Sequence, residues 1–515
     1  MKWFTMVCVA MLCTPPLQAA EKSIEVDISL DKRVQTIHSF GASDCWRTQY
    51  IGLWSDAKRE AIADLLFSDK FDKDGNPEGI ALTLWRFNIG SGSHDVEGGA
   101  GVASAWRRTE CFLDKDGNWD WSKQEGQRWM MEAARKRGVK YTLGFSISAP
   151  YYMSINGLTR ASDKSRFANL KEECYDDYAY FLAEVCNKLK LDYLSPINEP
   201  QWEWVGTNQE GMQATNEECS RLIGEIGGRL KKTQIVFGEA GDIRYLYRKG
   251  TNKPERDNQI EEMFSKDGKH SITEVQNVAP IISGHSYWST FPLDTMIITR
   301  QELRGALPKG YSYWQAEYCP MESNDDNPNG GGGRDEGINT ALYIARVMHY
   351  DLTQADATSW QSWTAFSEWD YKDGLIFIDD GKQRTGARRQ SDPLVESCKT
   401  DGEFHASKAL WALGNYSRFV RPGMVRVESQ IEGVSLEDQA YSLMASAYRG
   451  KRGEVVVVLI NYSDSPISTE LNFDDSKERE FDIYETSERR NLEYCGTSDN
   501  SITVPARSLI TLKSR

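Results

Sequence analysis

Through the middle of the chain, short apolar runs alternate with longer segments whose apolar residues recur at helical spacing. The runs fall at residues 36–42, 80–89, 140–146, 192–197, 234–238, 281–287, 311–316 and 357–363. Each is short and bounded by polar or turn residues, the pattern of a strand. Helical periodicity fills the intervals at 124–136, 169–189, 215–230 and 338–352. A further helix is predicted where Ser55 caps DAKREAIADLLF, with Ala61, Leu65 and Leu66 on its apolar face. Eight strands alternating with helices predict a parallel (β/α)8 barrel; an open parallel sheet has the same local periodicity.

After about residue 405 the pattern changes. Segments 424–427, 440–447, 454–460, 480–485 and 501–513 read as short strands separated by turns, and no strong helix follows Leu413. This is the pattern of an all-β module, a sandwich. Residues 23–30 (SIEVDISL) are also strand-like and precede the barrel, so they are expected to join that module. The predicted organisation is a leader at 1–20, an N-terminal strand at 21–35, a barrel at 36–405 and a sandwich at 406–515.

Composition narrows the partners. The net charge of −15 excludes the basic face that nucleic acid or an anionic membrane requires. One Lys, about a dozen apolar residues and Ala19–Ala20 form a short secretory leader, too short for a membrane span. A secreted or periplasmic monomer is expected. The cysteines after the leader are scattered singly with no CxxC pair, so neither a zinc ribbon nor a redox dithiol is indicated. DKDGN occurs twice, at 72–76 and 114–118; its glycine sits at position four, not the sixth position of a calcium loop, and both copies are read as tight turns. The run DDNPNGGGGRDEG at 325–337 has no GK[ST] and is expected to be a mobile loop beside the seventh strand.

Two acids stand where barrel chemistry resides, at the carboxyl ends of strands. Glu199 ends the fourth strand in SPINEPQWEW, and Glu317 ends the seventh in YWQAEYCP. Three βα units separate them, which places them across the barrel mouth from each other. Retaining glycoside hydrolysis requires two carboxyls about 5–5.5 Å apart, one a nucleophile and one an acid/base. Glu317 is read as the nucleophile and Glu199 as the acid/base. Arg86 in LWRFNIG is expected to favour ionisation of Glu317, and Asn198 to donate to the sugar 2-OH. His285 and Tyr287 in GHSYW are expected to hydrogen-bond beside the nucleophile. Six histidines with no HExxH give no metal site, and no cofactor is expected. Trp46, Trp202, Trp288 and Trp363 are the candidate sugar platforms, with Asp44 and Asn88 counted among the substrate contacts. No GxSxG elbow follows a strand, which disfavours a serine hydrolase.

With these residues placed, the chain resembles glycoside hydrolase family 30 of clan A over essentially the whole mature length. The resemblance is carried by QTIHSFGASDCW, Arg86, Asn198–Pro200, His285–Tyr287, Glu317, SWQSW (359–363), SRFVRPG (417–423) and VPARSLITL. It implies a barrel with a β-sandwich built from both chain ends and a retaining mechanism on a β-linked carbohydrate without cofactor, with Trp363 in the glycone subsite. NEPQWEW looks most like the endo-β-1,6-galactanase branch. Exo-acting β-glucosidase, β-1,6-glucanase and xylanase are alternatives within the family, and a catalytically silent carbohydrate-binding barrel is the alternative outside enzymes. Ile147 departs from the pattern, since many members carry Trp there, and this leaves the glycone sugar open.

Overall fold

The computed structural model describes residues 23–382 and 396–515. The expected leader, with Cys8 and Cys13, lies outside them. The eight predicted strands close into a barrel in chain order: Ser39–Ser43, Leu84–Ile89, Tyr141–Ser146, Tyr193–Ser195, Gln234–Ala240, Val278–His285, Ser312–Tyr318 and Ser359–Ser362. All neighbouring strands pair in parallel, as βαβ crossovers require. Closure settles the choice between a barrel and an open sheet.

The barrel interior changes character from bottom to top. At the bottom Leu84, Leu143, Val236, Ile281 and Trp314 fill it with apolar side chains. Residues two apart in a strand share a face, so Arg86 and Asn88 stand above Leu84. The seventh strand departs from this alternation. It holds one extra residue against both neighbours, with His285 opposite Glu317 and Ser362 opposite Tyr318. A bulge of this kind re-aims a side chain. Glu317 thereby joins the inner wall, although simple alternation from Trp314 points it outward.

The outer helices include Asp56–Phe67, Glu125–Lys136, Tyr175–Leu189, Asn216–Gly227, Leu293–Ala306 and Ile338–Gln354. Asp56–Phe67 buries Ile62, Ala63, Leu66 and Phe67; Ala61 is exposed, so the buried face is turned relative to the predicted one. Thr215 caps the helix Asn216–Gly227 reciprocally with Glu218. Leu293–Ala306 was not legible, because polar residues interrupt its apolar face (Leu293, Met296, Ile297, Leu303). Both DKDGN copies form the same turn, in which Asp72 and Asp114 each accept two backbone N–H groups. The 325–337 run is packed, not loose: Gly331 lies against the Tyr371 ring, where a Cβ has no room. Lys372 ties the run further by donating to Asn327 and to the Gly330 carbonyl.

Beyond the barrel, nine strands form one sheet that includes the N-terminal strand Ile24–Thr36. That strand lies inside the sheet, antiparallel to Val425–Ile431 and parallel to Ile467–Phe473. The sheet curls so that its ends enclose one core containing Val26, Ile28, Val457, Leu471, Phe481 and Leu512. Helix Lys408–Ser417 lies past the expected barrel boundary at residue 405 and runs a turn beyond Leu413 before the strands begin. It packs between Ile338–Gln354 and the sheet, and Asn415 bonds Thr486 and Thr511. Arg418 then donates to the carbonyls of Ser68, Asp69, Lys70 and Gly79, which joins the sandwich link to the barrel.

Candidate active site

Five ionisable side chains meet at the carboxyl ends of the barrel strands. Arg86 sits in the middle of the second strand, not at its end, and its buried guanidinium reaches upward. One Nη donates to Glu317 at 2.5 Å; the other donates to Asn198 Oδ1 and to Glu239, each at 2.9 Å. The ring of Phe145 lies 3.8 Å from the guanidinium carbon and holds its plane. Asn198 lines the cavity, and its amide oxygen accepts from Arg86.

His285 closes the sixth strand. Its Nδ1 lies 2.8 Å from Glu199 and 3.7 Å from Glu317, and its Nε2 lies 3.3 Å from Glu239. Burial disfavours the imidazolium, but the surrounding carboxylates outweigh this and push His285 up to about 10. Burial likewise opposes ionisation of Glu239, and Arg86 with His285 overcomes it, holding that carboxyl down to about 2. For Glu317, burial pushes the carboxyl above its usual range, and His285 and Arg86 only partly offset this. Tyr287 donates to Glu317 at 3.1 Å, and burial keeps its phenol protonated.

The carboxyls of Glu199 and Glu317 offer oxygen atoms within 4.8 Å of each other, both close to His285. Glu199 lies just beyond the short fourth strand with φ +45, in the left-handed region, and its N–H bonds the carbonyl of Glu239. Gly241 leaves room for its carboxyl: a Cβ there stands 2.9 Å from Glu199 Oε1. With two cations and three carboxyls in contact, the cluster is neutral when it carries one carboxyl proton.

Glu199, Glu317, Tyr287 and Asn198 open onto a cavity of about 390 Å³. Trp202 and Trp288 stack at its rim, ring centres 4.8 Å apart and planes 11° from parallel. They are 44% and 37% exposed, enough to offer faces to a ligand. Trp363 also lines the cavity. Asp44, Trp46 and Asn88 lie deeper: Asp44 is buried, accepting from Asn88 N–H and Gln127, and Trp46 packs edge-on against Trp363. Asn88 is fully buried, and neither atom of its side-chain amide has a partner among the described residues.

Sequence reasoning missed Glu239, which carries the same strand-end signal as Glu199 and Glu317 but falls just past the predicted end of the fifth strand. It also missed Arg107, Trp369, Tyr371 and Asp373, cavity residues on loops without periodicity.

A closed parallel barrel with paired carboxyls at its strand ends and aromatic rings at its rim defines a glycoside hydrolase. A family model described as O-Glycosyl hydrolase family 30 matches residues 22–377, and the chain belongs to that family. It is an O-glycosyl hydrolase acting on β-glycosides. A conserved exported protein from Bacteroides fragilis is similar at 36% identity, with a TM-score of 0.86 over 95% of this chain and 99% of that one. The catalytic domain of a GH30 xylanase C from Talaromyces cellulolyticus shares the fold at 18% identity, with a TM-score of 0.64 over 95% and 100% of the two chains. An endo-beta-1,6-galactanase of Hypocrea rufa is 22% identical over 218 residues, 38% of this chain and 44% of that protein, so the match spans less than half of that relative.

Proposed function

We propose that the protein is an exported retaining β-glycosidase in which Glu317 is the nucleophile and Glu199 the acid/base. The observation that supports this is the closeness of the two carboxyls at the strand ends: an oxygen of each lies within 4.8 Å of the other, in keeping with the short separation of a retaining pair rather than the wider one of an inverting pair. Arg86 and Tyr287 both donate to Glu317, the partners a carboxylate nucleophile needs. In the first step a Glu317 oxygen bonds the anomeric carbon as the glycosidic C–O bond breaks, and the Glu199 proton passes to the leaving oxygen. In the second, water attacks the anomeric carbon, Glu199 takes its proton, and the Glu317 carboxylate leaves. With its oxygen accepting from Arg86, Asn198 has its NH2 left to donate to the 2-OH in both steps.

The leading substrate is β-1,6-galactan, supported by NEPQWEW and by the distant galactanase relative. Export is supported by the leader pattern and by similarity to an exported protein. The test is a product profile on β-1,6-galactan, β-1,6-glucan, glucuronoxylan and aryl β-glycosides beside two variants. Glu317→Gln is expected to fold and to lose hydrolysis by at least about a thousandfold. Glu199→Ala is expected to lose far less on aryl substrates with good leaving groups and to recover with azide. The anomer released first, followed by NMR, should be β. Wild-type turnover by Glu317→Gln, or release of the α anomer, would falsify the assignment.

A further inference from the structure

The net charge of −15 is an average over the molecule, and one cavity runs against it. It measures about 450 Å³, lies where the sandwich meets the barrel, and is lined by Arg418, Arg421, Lys451, Arg452 and Lys513. Asp69 and Glu454 also line it, which leaves a local excess of three positive charges. The barrel side of this cavity is the segment between helix Asp56–Phe67 and the second strand. That segment runs at the amino ends of the barrel strands, whereas Glu199 and Glu317 stand at the carboxyl ends. The cavity is therefore separate from the catalytic one.

None of the five cations forms an ion pair among the described residues, although Arg449 and Arg515, close by in the chain, each find a carboxylate. Arg421 uses one Nη on the carbonyls of Ala81 and Ser417, and the rest of its guanidinium has no acceptor among the described residues. Arg418 is buried with both Nη groups on barrel carbonyls, yet its Nε–H has no acceptor there. Burial pulls Arg418 down to about 10 and lowers Arg421 too, and Asp69 offsets only part of this. Glu454 accepts from the Arg452 backbone N–H, so that carboxylate is already engaged on its own turn. Unpaired cations around one cavity repel each other, and a bound anion relieves this.

The same wall presents an aromatic ring. Phe71 is 46% exposed, with the Arg418 guanidinium carbon 4.0 Å from its ring centre. It immediately precedes the first DKDGN turn and pairs with Pro77 across the base of that turn, which fixes its backbone. The apolar face of a sugar packs on such a ring while its polar groups meet donors beside it. Five cations around one cavity of this size suit a single charged sugar, not the extended basic face that nucleic acid or a bilayer requires.

We propose that this seam is a second carbohydrate-binding site and that it takes an acidic sugar, one carrying a carboxylate or a sulfate. The anionic group meets Arg421, Lys451, Arg452 and Lys513, and the ring of the sugar packs on Phe71.

The test is a ligand-observed NMR titration of the full chain, carrying Glu317→Gln to suppress hydrolysis. The ligands are methyl β-glucuronide, glucose 6-sulfate, methyl β-glucoside and acetate, and the first two separate carboxylate from sulfate. At least one acidic sugar should bind about tenfold more tightly than acetate, which has the charge without the ring. Combining Lys451→Gln with Lys513→Gln, both at exposed positions, should weaken that sugar about tenfold, and raising the salt to about 0.5 M should weaken it severalfold. Methyl β-glucoside, free to bind at the barrel mouth, should change by less than about twofold in both cases. In the chain with Glu317 intact, the same lysine pair should leave aryl β-glycoside hydrolysis unchanged. Thermal unfolding checks that each variant is folded. Four results overturn the proposal: no acidic sugar bound, acetate bound as tightly as the acidic sugars, acidic-sugar affinity unmoved by the lysine pair, or hydrolysis lost with it.

Discussion

At the scale of single residues, the centre of the site is an ion cluster in which every charge is fixed by a neighbour. His285 illustrates the consequence. Its value rises from the ordinary 6.5 to about 10 on folding, so its contribution to stability is complete below pH 6.5 and is lost as pH rises toward 10. Each unit of that shift is worth about 1.4 kcal/mol, and the depression of Glu239 reports the same contacts from the other side, so the two are not added. Urea unfolding of wild type should therefore weaken by a few kcal/mol between pH 6.5 and 10, while His285→Asn shows a flatter curve; parallel curves count against a charged His285. Glu239 acts through Arg86 and His285 as a positioning residue. Glu239→Gln is expected to lower kcat by about tenfold to a hundredfold and to move the basic limb of the pH–rate profile downward. An unchanged limb with reduced kcat points instead to a loss of packing alone.

At the scale of elements, the site depends on local departures from regular structure. The eight strands were legible because each is a short apolar run bounded by polar residues, and the strand-end rule found Glu199 and Glu317 without knowledge of their contacts. Alternation alone does not put Glu317 inside, since the extra residue in the seventh strand has no side-chain signature. Glu239 was lost because its strand runs two residues past Gly238 with a Glu in an otherwise apolar run. The buried face of Asp56–Phe67 was misread by one position because Ala61 and Leu65 are also apolar. Gly241 gives this scale its own test. Its backbone angles suit any residue, and the atom a Cβ meets is the end of the Glu199 side chain. Gly241→Ala is expected to leave thermal stability within about 1 kcal/mol and to reduce kcat by tenfold or more, because only the carboxyl has to move. Equal losses in stability and activity argue against that picture.

At the scale of the whole molecule, the barrel and sandwich share one apolar core that includes Leu342, Leu410, Val456 and Leu509, and buried polar contacts pin the same seam. Arg418 makes four bonds to barrel carbonyls. Arg418→Ala is expected to cost about 2–4 kcal/mol in chemical denaturation, since bonds to a charged donor are lost and carbonyls are left bare. A change under 0.5 kcal/mol shows that the two parts hold together by apolar contact alone. The fate of Ile24–Thr36 was visible in its alternation, but its parallel neighbour Ile467–Phe473 and the edge strand Asn491–Ser498 were not, because both carry too many polar residues to be read as strands.

The placement of that first strand has a consequence for how the chain comes off the ribosome. Val26 pairs with Ile431 and Leu471, so the earliest segment of the sheet waits through synthesis of the whole barrel before Val425–Ile431 covers one of its edges and Ile467–Phe473 the other. Until then Val26, Ile28 and Leu30 remain on an open strand able to pair with any passing edge. Completion is thus deferred to the end of translation, and a chain stopped short of the sandwich carries a finished barrel with an adhesive tail.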